Sequence, residues 1–247
     1  MRPPMDGERY LAHLADDAAL LLACGRRDLD APVPSCPGWT MTDLLWHVAI
    51  VYRHKVECMR RGASPTPWPP SRTDEHPVDV LQRDYDDLVA ELRTRGPDAP
   101  SYTWHAPDQT VGFWYRRMTH ETAIHRVDAQ LALGAATPVD AVLAADGVDE
   151  MLDVMLSGDY SDLPVPGLDS AVRLHAGGRE WLVHNESTWL TVARDPPTDL
   201  AADAVLSADP STVDLWLWGR APQSDLNVEG DVAAVDALRA RIDSLGI

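Results

Sequence analysis

The residues best suited to chemistry lie in one proline-free stretch, 111–134, VGFWYRRMTHETAIHRVDAQLALG. It ends on Gly134, a common helix C-terminal signal, and reads as a helix of about six turns. Glu121, His125 and Asp128 fall on one stripe of it, continued backwards by Met118. Ile124, Val127 and Leu131 form the adjacent apolar stripe. Glu121 and His125, four residues apart, project side by side. A carboxylate and an imidazole at that spacing can hold one divalent metal. The same pair also occurs on an ordinary solvated helix face, so the spacing leaves both readings open until a third ligand is found elsewhere.

Three further helices could position these groups. Residues 6–27 carry Tyr10, Leu11, Leu14, Ala18, Leu21 and Leu22 at helical spacing. A turn-rich loop, DAPVPSCPGW, follows, and Thr40 with Asp43 then makes a capping-box pattern ahead of an apolar run. In this second helix His47 shares a face with Leu44, Val48 and Val51, the side expected to be buried. A core histidine of that kind is usually just hydrogen-bonded. The helix fades near Arg61 and Gly62, and a proline-rich connection leads to a third helix over 78–95. Four long helices with long crossings suit a four-helix bundle.

Beyond Gly134 the pattern changes. One more helix is expected from Pro138 to about Ser157, then short strands AVRLHA, EWLVHN, TWLTVAR and AVLSAD. A helix through STVDLWLWG, a strand or turn at LNVEGD and a terminal helix VAAVDALRARID complete the chain. The expected class is therefore α+β: a bundle over 1–146, then a smaller α/β domain with an antiparallel sheet over 147–247.

Composition narrows the function. The 247 residues carry a net charge of −18, which disfavours nucleic acid and anionic membrane as partners. No apolar run is long enough to span a bilayer, and the opening MRPPMDGERYLAHLADD, with no apolar segment before a cleavage site, is not expected to be a secretory signal. Cys24, Cys36 and Cys58 have no CxxC spacing, so a reducing cytosol is expected rather than disulfides. Arginine almost entirely replaces lysine, with Lys55 the only one, as in high-GC genomes. Cys36 is a rival nucleophile, but a loop cysteine followed by proline with no evident base is more often structural. His120 points about 100° away from Glu121 and is rejected as a ligand. Arg116, Arg117 and Arg126 read as helix-surface charges, and Asp128 as a partner for backbone or an arginine more than for His125. His105, His175 and His184 stay unassigned, and Trp104, Trp114 and Trp216 read as core or cleft wall.

Three segments, PSCPGWTMTDLLWH, TVGFWYRRMTHETAIHRVDAQLALG and VDLWLWGR…LNVEGD, resemble in the same order the mycothiol-dependent maleylpyruvate isomerase family. The resemblance spans nearly the whole chain. It implies a DinB-like metal-binding bundle followed by a sterol-carrier-like α/β domain, and it supplies the third ligand: His47 with Glu121 and His125. Such a site, with one open position, implies a divalent metal, zinc for preference, and mycothiol as the thiol cosubstrate. An open zinc site can hold a thiolate at neutral pH. The implied function is thiol-dependent isomerisation or conjugation of a small, electrophilic, acidic substrate, by a cytoplasmic monomer or homodimer. The alternatives are a mycothiol S-transferase of detoxification or secondary metabolism, a small-molecule binding protein with a structural metal, and a regulatory bundle. Arg220 either faces the metal cleft as the residue orienting a substrate carboxylate or forms a salt bridge in its own domain. The stretch 61–107 has no counterpart in the resemblance and is expected to shape the substrate pocket.

Overall fold

The computed structural model describes residues 5–159, 168–186 and 189–245. The chain forms two compact units, Met1–Thr137 and Pro138–Ile247. Among the described residues no helix is long and apolar enough to cross a membrane.

The first unit holds four helices, α1 (Gly7–Gly25), α2 (Met41–Arg61), α3 (Pro77–Arg95) and α4 (Val111–Ala132). The starts of α1 and α2 are written in their caps. Asp6 accepts the Arg9 amide at 2.9 Å. Thr40 and Asp43 cap each other reciprocally, and Asp43 has its pKa lowered to about 2 by the Thr40 hydrogen bonds and by Arg72. At the far end of α2 the chain turns through Gly62 at φ 67°, where a β-carbon would be strained. Two short bridges, Pro32 to Thr40 and Pro100 to Thr110, close the loops that lead into α2 and α4.

The helix α4 is the axis of this unit, and it is buried on nearly every side although it is not apolar. Its polar groups find partners on neighbouring helices instead. Thr119 Oγ1 donates to the Tyr10 carbonyl of α1 at 3.2 Å, and Tyr52 of α2 meets Thr122 at 2.5 Å. Arg117 and Arg126, expected at the surface, are 3% and 2% exposed. The charge of Arg126 is met by Asp17 of α1, whose Oδ1 lies 2.8 Å from Nε. A buried guanidinium is tolerated only with such a partner.

The second unit contains α5 (Ala141–Glu150), which continues as a π-helical turn over Met151–Leu156, then β1 (Gly158–Asp159), β2 (Val172–Ala176), β3 (Arg179–Glu186), β4 (Trp189–Arg194), β5 (Ala204–Ala208), α6 (Pro210–Leu217), β6 (Asn227–Gly230) and α7 (Val232–Asp243). The composition shift predicted a boundary after Asp146. In the structure Asp146 lies inside α5, because Val148, Met151 and Leu152 join the apolar core of the second unit with Leu174, Trp181, Leu206, Trp216 and Val235. The sheet order is β1-β4-β3-β2-β5-β6. It departs from the expected antiparallel sheet at one pair: β2 and β5 are parallel. Segment 195–203 carries the chain back past the β2–β3–β4 meander, so β5 enters beside β2 in the same direction. The β2–β3 turn is Gly177-Gly178, both at positive φ, which a tight two-residue hairpin requires.

Candidate metal centre

His47 stands on the second turn of α2, and Glu121 and His125 stand on successive turns of α4. Helix packing brings the three together. Glu121 Oε1 lies 3.5 Å from His47 Nε2 and 3.2 Å from His125 Nε2. One ligand atom from each residue falls within 4.8 Å of the others. Two ligands held 2.0–2.1 Å from one tetrahedral ion sit about 3.4 Å apart, so the two short distances suit a single small divalent ion. The side chain of His47 is 33% exposed, against 12% for His125, so the cluster is reached from the His47 side.

Each candidate ligand is held by neighbouring groups. The other oxygen of Glu121 accepts from Arg117, one turn earlier on α4, which leaves Oε1 facing both histidines. Burial alone would raise the Glu121 carboxyl, but Arg117 and the two imidazoles hold it well below the usual carboxylate range. His125 Nδ1 lies 2.8 Å from Asp128 Oδ2. Burial pulls the His125 imidazole down, yet the hydrogen bonds to Asp128 and Glu121 prevail and raise its pKa to about 9. The His47 ring packs on Trp39, centroids 5.0 Å apart.

Asp128 is the main correction among the candidate residues. Read from spacing as a partner for backbone or an arginine, it is fully buried and serves His125. The pinned loop before α2 adds to its surroundings: Ser35 Oγ donates to Oδ1 at 2.5 Å, and the Cys36 thiol faces Oδ2 at 3.7 Å. A carboxylate behind a ligating histidine fixes the tautomer and leaves the outer nitrogen a lone pair for metal. Asp128→Asn is expected to lower zinc affinity roughly 10- to 100-fold with little change in fold. Competition with a chromophoric chelator measures this, and an unchanged affinity would remove Asp128 from the site.

Other predicted positions have partners of their own. His120 is buried and packs edge-on to Tyr10, away from the cluster. Arg220 belongs to the second unit, just after α6, where its guanidinium donates to the Trp218 carbonyl at 2.5 Å. The sequence reading missed Arg117, although its i, i+4 spacing to Glu121 was a usable signal.

A helical bundle carrying a two-histidine, one-carboxylate cluster, followed by a smaller α/β unit, is the class that fold and site define. The chain belongs to the mycothiol maleylpyruvate isomerase family: residues 11–130 match the model of its N-terminal domain and residues 142–237 that of the MDMPI C-terminal domain. Crystal structures of the mycothiol-dependent maleylpyruvate isomerase and of a mutant of it are similar in fold, each with a TM-score of 0.55 and 15% identity over 92% of this chain and 95% of that one. Sterol carrier protein 2 from Yarrowia lipolytica aligns to 39% of this chain and 92% of its own, at 14% identity and a TM-score of only 0.28, too low to support an argument. Among curated proteins none matches the sequence.

Proposed function

We propose that this protein is a metal-dependent enzyme that uses a low-molecular-weight thiol, mycothiol, to isomerise or conjugate a small, electrophilic, acidic substrate. The observation that carries this reading is the convergence of His47, Glu121 and His125 on one point, with Glu121 Oε1 3.2 and 3.5 Å from the two imidazoles. These three residues would hold the ion, zinc for preference, and a bound zinc would lower the pKa of a coordinated thiol. Glu121 offers one oxygen to the site while Arg117 holds the other. Asp128 keeps His125 in the tautomer that presents Nε2. Holding thiol and electrophile side by side removes much of the entropic cost of their encounter. Arg220 is retained as the candidate catalytic residue that would orient a substrate carboxylate through paired donors. Three free cysteines and the acidic surface suit a cytoplasmic setting.

The test is turnover of maleylpyruvate and a panel of electrophiles by zinc-loaded protein, with and without mycothiol. Turnover is expected to need both metal and thiol and to survive Cys36→Ser, which keeps a donor facing Asp128. Arg220→Ala is expected to keep the metal and lose turnover or substrate affinity. Turnover without added thiol, or a metal-loaded Cys36→Ser protein that is inactive, would overturn the external-thiol mechanism.

A further inference from the structure

Lys55, the only lysine of the chain, follows His47 by eight residues on α2. That is two turns, about 12 Å along the axis and on the same broad face. The ammonium lies over two indole rings, 5.1 Å from the centroid of Trp104 and 5.2 Å from that of Trp114. Trp114, Arg117 and Glu121 occur at i, i+3 and i+7 on α4, so Lys55 sits at the far end of the stripe that leads to the metal ligands. Its Nζ lies 3.3 Å from His54 Nδ1. Among the described residues no carboxylate comes within ion-pair distance of it. Aromatic faces offset part of the cost of sheltering a cation but supply no counter-charge. Burial pulls its pKa below the ordinary lysine value, with the Glu121 charge opposing that pull.

The surroundings have the form of a subsite. Trp104 is 47% exposed and forms its outer edge, while Trp114 is fully buried and forms its floor. The loop bearing Trp104 is pinned at its ends by the Pro100–Thr110 bridge, and Trp104 packs on Phe113, centroids 5.0 Å apart. In a protein of net charge −18, an ammonium without a carboxylate partner is a local site for an anion.

We propose that Lys55, beside Trp104 and above Trp114, is a carboxylate-binding subsite two helical turns from the His47, Glu121 and His125 cluster, taking a carboxylate of the small molecule that reacts there, distinct from any held by Arg220. This rests on the metal-and-thiol reading above and adds a specificity residue within the helical unit. Carboxylate and ammonium meet in a charge-assisted hydrogen bond, and the exposed Trp104 indole flanks the carbon chain.

The experiment uses cobalt-substituted protein, whose thiolate-to-cobalt absorption band reports thiol binding. It is titrated with ω-mercaptocarboxylates of increasing length and with the matching ω-mercaptoalcohols. At the length that reaches Lys55, the carboxylate is expected to bind roughly 10- to 100-fold more tightly than the alcohol. Lys55→Met should abolish that preference while cobalt content and mercaptoalcohol binding stay unchanged, which also shows that the variant is folded. Trp104→Ala, at an exposed position, should weaken the preference without abolishing it. A preference that persists in Lys55→Met, or is absent from the wild type at every length, overturns the subsite. If no thiol produces the band, the thiol reading fails instead. The subsite is then judged by calorimetric binding of glutarate, which must be present in the wild type and lost in Lys55→Met.

Discussion

Glu121→Gln is expected to lose metal and thiol-dependent turnover together. The substitution keeps the shape of the side chain but removes the one negative charge between two imidazoles 3.2 and 3.5 Å away. It also takes from the buried Arg117 the carboxylate one turn away on α4, so a cation at the site would meet more net positive charge. The loss of affinity should exceed the roughly 10- to 100-fold that removal of an outer-sphere partner costs. Stability gives a second readout. A metal at one hundred times its dissociation constant stabilises the folded state by about 2.7 kcal/mol, or roughly 5–10 °C in melting temperature. Added zinc should therefore raise the melting temperature of the wild type and leave that of Glu121→Gln, His47→Ala and His125→Ala nearly unchanged. Metal content of one per chain in all three variants would rule out this ligand set.

Arg126→Met should destabilise the bundle by about 3 kcal/mol at neutral pH, near the lower end of the range for breaking one side of a buried ion pair. Arg126 Nε donates to Asp17 at 2.8 Å, and Nη1 reaches Gln130 Oε1 at 2.9 Å and the Thr137 carbonyl at 2.7 Å. Methionine fills similar volume and removes the donor to all three, although Gln130 Oε1 keeps the Thr137 amide and hydroxyl. Asp17 sets the pH dependence: burial already raises its pKa despite the opposing charge of Arg126, and without that charge the carboxyl rises further. The sign of the pH dependence follows. A raised carboxyl costs stability above its folded-state pKa, and that cost disappears below the unfolded value of about 3.9. The gap between wild type and variant should be widest near pH 7 and narrow as pH falls toward 4. Denaturant unfolding at both pH values measures it. A gap below about 1 kcal/mol at pH 7, or one that is constant with pH, would show that the pair does not hold α1 to α4 as argued.

Much of the fold was legible because local rules and tertiary structure agree. Asp6, Thr40 and Asp43 begin helices where caps should, and Gly62 ends one. The i, i+4 spacing of Glu121 and His125 placed two candidate ligands side by side before any packing was known. Spacing alone gave His47 no role, because its distance to α4 is a property of helix packing; only likeness to a family nominated it.

The rest was decided at long range. Whether the sheet is wholly antiparallel depends on where β5 inserts, and strand patterning carries no information about its neighbour. Arg126 looks like a surface charge because a sequence displays charge but not the carboxylate that meets it, and Asp17 lies 109 positions away. Asp128 turned from a helix-face acid into the support of His125 because a loop 93 positions away delivers Ser35 to its other oxygen. Lys55 was visible only as a compositional oddity until folding set two indoles beneath it and no carboxylate within reach among the described residues. By itself the sequence determined which groups lie on one helix face, since helical spacing fixes that within a few residues. Tertiary structure alone decided which charges are buried and what faces them, because burial and pairing depend on side chains that meet only when distant segments pack.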